Sequence, residues 1–169
     1  MITRGTPLLL ATCTATAAAL VLRSQEDPAS LAHEFVKAAD AGDRSALEAL
    51  VHPDVARFHR ARDLERWEEV LDSWARTRFE PDHDVVVRPA AEVELYNEER
   101  HTLVLGDRLQ FRFPLHPPSH FLIMRIRAPA DSAPASDRTD IGGSNAVEAV
   151  FEQGGRWYLT VPVVEILPD

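Results

Sequence analysis

Cysteine is nearly absent from this sequence. The one cysteine among the 169 residues is Cys13, and it lies in an apolar N-terminal segment. Residues 24–169 therefore contain no thiol, which excludes an internal disulfide and a cysteine nucleophile from that part of the chain. The stability of this part must come from core packing, which a domain of about 140 residues can provide.

Basic side chains are outnumbered. The chain has 18 Lys and Arg residues against 27 Asp and Glu residues, which gives a formal net charge of −9. Loss of residues 1–23, with Arg4 and Arg23, would leave 16 basic and 27 acidic side chains and a net charge of −11. An acidic surface repels phosphate backbones, and the arginines between positions 57 and 66 are interleaved with acids instead of forming a basic stripe. The composition therefore argues against nucleic-acid binding.

The length and composition fit one globular domain. Hydrophobic residues make up 45% of the chain and charged residues 27%, which is typical of a protein with an ordinary core. The sequence has no internal repeat. We expect a linker over residues 24–29 and a single domain over residues 30–167.

Charged side chains are missing from residues 5–22, which follow Arg4 and precede Arg23. A cleaved secretory signal is one interpretation, because small residues stand before cleavage positions near Ala17 and Ala19. An uncleaved membrane anchor is another. Its 18 residues are just enough to span a bilayer, although threonines and alanines make the segment weakly hydrophobic.

Cys13 offers a third interpretation. The sequence Leu10-Ala11-Thr12-Cys13 resembles a bacterial lipoprotein acylation box, although Thr12 replaces the usual Gly, Ala or Ser before the cysteine. A fourth interpretation is that the segment is the first helix of the fold. The first three predict a protein exported to the periplasm or the extracellular space, or anchored to the membrane by its N-terminal segment.

Helical periodicity dominates the first half of the remaining chain. Apolar residues recur at helical spacing after Ser30, which can cap a helix that Gly42 ends. A second short helix is predicted over residues 45–51, and Pro53 closes it because the residue before a proline disfavours helical backbone. A third helix is predicted over residues 63–78. Its apolar positions at helical steps are Leu64, Trp67, Val70, Leu71 and Trp74.

From Val85 onward the pattern is that of strands. The order of helices first and strands afterwards predicts an α+β fold, in which N-terminal helices pack on a mostly antiparallel sheet. Gly106-Asp107 indicates a hairpin, and Gly154-Gly155 indicates another. The predicted strands cover residues 85–87, 92–96, 102–105, 109–113, 120–127, 146–153 and 156–166, the fifth being apolar on both faces and therefore central. Residues 114–119 are irregular because they contain three prolines, and residues 128–143 are predicted to form a flexible loop.

This pattern resembles the nuclear transport factor two-like superfamily, which also holds ketosteroid isomerase-like and polyketide cyclase-like (SnoaL-like) proteins. The residues that carry the resemblance are Ala32, Phe35, Ala38, Ala39, Gly42-Asp43, Leu47, Leu50, His52-Pro53-Asp54, Phe58 and the closing strand from Gly155 to Leu159. The resemblance covers about residues 28–166. It implies a cone-shaped α+β barrel, in which helices close one end of a strongly bent sheet and leave a pocket. It also implies a homodimer formed through the open sheet face.

The resemblance transfers no catalytic residue. Isomerase-like members combine a general-base carboxylate with a tyrosine and a protonated acid, and neither Tyr96 nor Tyr158 matches that arrangement. Other members use a histidine with an aspartate. His52, Asp54 and His59 are close in sequence and could supply such a pair, although Pro53-Asp54 is also typical of a turn and His59 of a solvated side chain.

Two more polar residues are pocket candidates. Gln110 and Arg112 share the strand face opposite Phe111, and they would offer a pocket an acceptor and a cation if that face pointed inward; an outward face is the alternative. The ligand-binding candidates are Asp54, His59, Gln110, Arg112 and Tyr158. No metal or cofactor is predicted, because the prolines between His116 and His120 prevent the helix on which that spacing would bring two ligands together.

These observations favour a non-catalytic binding or assembly module of the cell envelope, with a small apolar ligand or an envelope protein as its partner. The alternative is a small-molecule isomerase, cyclase or dehydratase that uses the pocket, and a third class is an inhibitor or immunity-like protein that uses its acidic face. A catalytic pocket would be deep and hold a buried carboxylate or histidine beside a donor. A binding or structural module could instead have its interior filled by Phe and Leu.

Overall fold

Four helices come first in the part of the chain that the structure describes. This computed structural model describes residues 27–80, 85–105, 109–127 and 145–166. The predictions for residues 1–23, for the Gly106-Asp107 turn and for the loop over 128–143 lie outside these residues. The helices are α1 (Pro28–Ala41), α2 (Arg44–Ala49), α3 (Pro53–Arg62) and α4 (Leu64–Arg76). No helix in these ranges is long and apolar enough to cross a lipid bilayer.

The N-cap of helix α1 lies three residues before the predicted cap. The carboxylate of Asp27 accepts the backbone N–H of Ser30 at 2.8 Å, so Asp27 is the N-cap and the prediction of Ser30 is wrong. Pro28 occupies the first turn, where a missing N–H costs nothing. Residues 28 and 29 therefore belong to the helix and not to a linker. The predicted end is confirmed, because Gly42 has a φ of +67° and its N–H bonds to the carbonyl of Ala39.

Helix α3 is absent from the predicted elements. The sequence favours a turn at Pro53-Asp54, but Pro53 is the first residue of a ten-residue helix. Proline suits that position because its fixed φ is helical and its missing N–H would be unpaired anyway. The side chain of His52 caps the helix, since its Nδ1 accepts the Asp54 N–H at 3.2 Å. Val55 and Ala56 supply the buried face of α3.

Among the described residues, eight strands form two antiparallel four-stranded sheets. They are β1 (Val86–Pro89), β2 (Tyr96–Asn97), β3 (Thr102–Leu105), β4 (Leu109–Arg112), β5 (His120–Arg125), β6 (Asn145–Gln153), β7 (Arg156–Thr160) and β8 (Val163–Ile166). The first sheet has the order β1-β5-β6-β7 and the second has the order β2-β3-β4-β8. The predicted α+β class with antiparallel pairing is confirmed. The described strands do not form a closed barrel, so the cone shape stays a prediction.

Two predicted strands have different bounds because of local backbone chemistry. A 3₁₀ turn over Ala90–Glu92 and the irregular backbone of residues 93–95 replace most of the strand predicted for residues 92–96, and the buried Ala90 and Val93 lie at a spacing of three. The strand predicted for residues 156–166 breaks after Thr160. Pro162 lacks the N–H that a ladder needs, and the chain continues as β8 in the other sheet.

The first sheet is covered on both faces. Alternate residues of its central strands pack against the helices, and the fully buried members of this core include Leu122, Met124, Val150, Leu159, Phe35 and Trp67. Residues of the opposite face, Phe121 and Ala149, pack with Tyr96, Leu103 and Phe113 of the second sheet and its surroundings. Strand β5 lies between β1 and β6, which confirms the prediction of a central strand that is apolar on both faces.

Candidate functional site

A large cavity lies between helices α3 and α4, the start of β6 and the second sheet. Its volume is about 780 Å³, which is within the range of small-molecule sites. The apolar part of its wall includes Val70, Trp74, Phe111, Phe113, Phe121 and Val147. Charged side chains of α3 and α4 line it as well: Arg62, Asp63, Arg66 and Glu69. These four side chains are exposed, so the charged region is where solvent meets the cavity.

The cavity follows from an incomplete strand pairing. Strand β7 pairs with β6 only over Ala149–Gln153, whereas β5 pairs with β6 from Asn145 to Val150. Among the described residues, Asn145–Glu148 therefore have a strand partner on one side only. The chain leaves this edge at Pro162 and enters the second sheet, and the space beside the edge is the cavity.

Glu148 is an ionisable group on the cavity wall whose pKa is strongly raised. It lies on the same face of β6 as Ala146 and Val150, which points towards the helices, and part of its surface borders the open space. Burial raises the pKa of Glu148 to about 8, and a hydrogen bond from the side chain of Trp74 opposes that rise. At neutral pH most copies of the protein therefore carry a protonated, uncharged Glu148.

His59 is a second polar group on the cavity wall. Its Nε2–H donates to the carbonyl of Val161 at 2.9 Å, which ties α3 to the segment between β7 and β8. Its ring stacks on Trp67 at 5.6 Å between ring centroids, and Trp67 donates to Glu48 at 2.7 Å. Burial lowers the pKa of His59, the bond to Val161 opposes this, and the charge of Arg62 lowers the pKa further. With Nε2 protonated, the neutral ring keeps the lone pair on Nδ1.

The other predicted site residues lie elsewhere. Gln110 and Arg112 do not line the cavity, because Phe111 between them occupies the inward face of β4. Both contact the carboxylate of Glu165: Gln110 Nε2 at 3.4 Å and Arg112 Nε at 2.8 Å. The sequence left open whether this pair faces inward or outward. In the structure it lies on the side away from the cavity.

Asp54 and Tyr158 belong to a separate cluster with His52 and His116. The ring of Tyr158 lies edge-on to His52, with 4.9 Å between centroids, and Asp54 Oδ2 is 4.0 Å from His116 Nε2. Burial and the nearby His116 lower the pKa of His52, and the charge of Asp54 opposes this. Of the five predicted ligand-binding residues, His59 is the one on the cavity wall.

Glu148 is the site residue that the sequence reasoning missed. The strand prediction for residues 146–153 was sound, and strand alternation puts position 148 on the same face as Ala146 and Val150. A charged residue at an inward position of an apolar strand is costly to bury, and this mismatch was the available signal.

Comparison with protein-family models, curated proteins and solved structures gives no match for this chain. The resemblance to the nuclear transport factor two-like superfamily is therefore carried by the residues quoted above alone.

Proposed function

We propose that the protein binds a small, mostly apolar molecule in the cavity and that Glu148 contacts the polar atom of this ligand. The observation that carries the proposal is the position of a protonatable carboxyl, that of Glu148, at the wall of a cavity of about 780 Å³. The rest of that wall is largely apolar. A neutral carboxyl donates one hydrogen bond and accepts others. The ligand class is therefore an apolar ring or chain with one carbonyl or hydroxyl group.

A cavity-filling variant tests this proposal. N-phenyl-1-naphthylamine is a neutral probe whose fluorescence increases in apolar surroundings, and we expect saturable binding of one probe per chain. Val147→Phe should abolish this binding, because the larger side chain occupies the cavity. Val86→Phe is the matched control, since Val86 is exposed on β1 and is not part of the cavity wall. Equal binding by both variants, each folded by circular dichroism, would contradict the proposal.

Proton transfer is a second candidate function, and the raised pKa of Glu148 favours it. A group with a pKa of about 8 exchanges protons readily near neutral pH, as a general acid or base must. A half-buried carboxyl with the Trp74 side chain as its donor is also close to the arrangement that we expect of a catalytic pocket. This candidate corresponds to an isomerase, cyclase or dehydratase.

Glu148→Gln separates the two functions. The amide keeps the size and a hydrogen-bond donor, but it cannot take up a proton. For a proton-transfer enzyme, we expect the wild-type protein to speed the exchange of α-hydrogens of a bound cyclic ketone such as 2-tetralone with D₂O, as observed by NMR. Glu148→Gln should remove the acceleration while the naphthylamine probe still binds. A ketone that binds without faster exchange would support binding alone.

We also propose a relationship to the nuclear transport factor two-like superfamily and a location in the cell envelope. The first is supported by helices that cover one face of a sheet beside a cavity, as the resemblance implies. The second is supported by the charge-free segment over residues 5–22. A cone-shaped sheet, a homodimer through its open face and an envelope partner belong to the same proposal.

A further inference from the structure

Two histidines and an aspartate meet at the start of α3. His52 and Asp54 belong to the capped first turn of this helix, and His116 lies in the proline-containing segment between β4 and β5. One potential ligand atom from each residue lies within 4.8 Å of the other two. We propose that His52, Asp54 and His116 form a binding site for a divalent transition-metal ion. Two imidazoles and one carboxylate are a donor set that suits Zn²⁺.

Both imidazole rings are held in place by neighbouring rings. His52 is only 8% exposed, and its ring lies edge-on to Tyr158. His116 is parallel to Phe151, with 4.6 Å between the centroids and 5° between the planes. The centroids of the two imidazoles are 4.3 Å apart. Ligands that are positioned before the ion arrives lose little conformational freedom when they bind it.

The backbone of His116 is unusual. Its φ is +48°, in the left-handed region that non-glycine residues seldom adopt. Three prolines, Pro114, Pro117 and Pro118, restrict the segment around it. Strained backbone persists where the surrounding structure enforces it, and it is concentrated at functional sites. Here the residue with the left-handed backbone is His116, whose ring lies beside His52 and Asp54.

The Asp54 carboxylate is oriented towards His116. Its Oδ1 accepts a hydrogen bond from Arg57 at 3.1 Å, while its Oδ2 is 4.0 Å from Nε2 of His116. In a tetrahedral zinc site the ligand atoms are roughly 3.3 Å apart. The Asp54 side chain is 52% exposed and can rotate to close this gap. The same exposure leaves a fourth ligand position open to water, as in zinc sites with three protein ligands.

His52 provides an internal reporter of metal binding. At present its Nδ1 accepts the backbone N–H of Asp54 at 3.2 Å. A metal bound through Nε2 would fix the ring proton on Nδ1, and the Asp54 amide would then lose its acceptor. We expect the ¹H–¹⁵N resonance of the Asp54 amide to move when Zn²⁺ is added.

The test uses the full-length protein in mild detergent after removal of metal with EDTA. We expect calorimetry to show one Zn²⁺ site per chain with micromolar or tighter affinity, and Co²⁺ to give the visible absorption of a four-coordinate ion. His116→Asn should weaken binding about tenfold or more, because it removes a ligand, while asparagine still accepts left-handed backbone. Asp54→Asn should have a similar effect, since it removes the anionic ligand.

His120→Asn is the matched control. His120 lies beyond the same prolines but bonds to the Ser119 hydroxyl and is not part of the cluster. It should keep the wild-type affinity. The proposal would be overturned by folded wild-type protein that does not bind Zn²⁺, or by equal affinity in His116→Asn, Asp54→Asn and His120→Asn. The result does not depend on what the cavity binds.

Discussion

Glu148 links the stability of the protein to pH. Its pKa in the folded protein is about 8, against an ordinary value of 4.5. Between these values the folded chain holds a proton that the unfolded chain releases, so the free energy of unfolding falls as pH rises and levels off above pH 8. From pH 5.5 to 8.5 the expected loss of unfolding free energy is about 3 kcal/mol. Water in the cavity screens the charge of the carboxylate and reduces this loss.

Urea unfolding at several pH values checks this prediction. The unfolding free energy of Glu148→Gln should not fall in this way, so the stability of the variant relative to the wild-type protein should increase as pH rises. Glu94→Gln controls for the loss of one negative charge, because Glu94 is exposed. If the unfolding free energies of the wild-type protein and Glu148→Gln changed equally with pH, the prediction would be wrong, because folding would then not disfavour the ionised carboxylate.

Only some residues of the candidate site could be predicted from the sequence. His59 was selected because other members of the superfamily that the sequence resembles use a histidine with an aspartate, and it does lie on the cavity wall. Gln110 and Arg112 could not be assigned, because strand alternation separates two faces without saying which one points inward. Glu148 was missed because the fold, and not the local pattern, determines that it borders a cavity beside Trp74.

At the scale of elements, Gly42 sets the angle between α1 and α2. Its φ of +67° is costly for a residue with a side chain, whereas an added Cβ would be 3.7 Å from the Ala75 carbonyl, an ordinary contact. Gly42→Ala should therefore lower the free energy of unfolding by about 1 kcal/mol through backbone strain. Gly42→Asn, which tolerates left-handed backbone better, should cost less in the same urea titration. Equal losses for both variants would indicate a steric cause instead.

Most elements could be predicted because their periodicity agrees with their burial. Helix α4 places Trp67, Leu71 and Trp74 on one buried face, and the hairpin of β3 and β4 follows its predicted bounds closely. The errors occur at prolines. Pro53 begins a helix where the sequence indicated a turn, and Pro162 divides a predicted strand between two sheets. A proline marks a boundary, but tertiary packing decides what lies on each side of it.

At the scale of the whole molecule, the N-terminal segment predicts processing. If residues 5–22 act as a cleaved export signal, the protein recovered from its native host should be soluble and have an intact mass that corresponds to cleavage near Ala17 or Ala19. Mass spectrometry of separate membrane and soluble fractions checks this. A full-length species in the membrane fraction would indicate an anchor, and a lipid-modified mass would indicate acylation at Cys13. An unprocessed soluble species in the cytoplasm would contradict all three.

The break at Pro162 has a consequence for how this chain can change over evolutionary time. The cavity exists because β7 stops at Thr160 and leaves four residues of β6 without a neighbour on that side among the described strands. Moving the proline two positions towards the C-terminus would preserve the alternation of faces and let β7 extend along that edge. The position of one proline therefore determines the size of the cavity. Homologues with the same core could gain, lose or resize a pocket by shifting it.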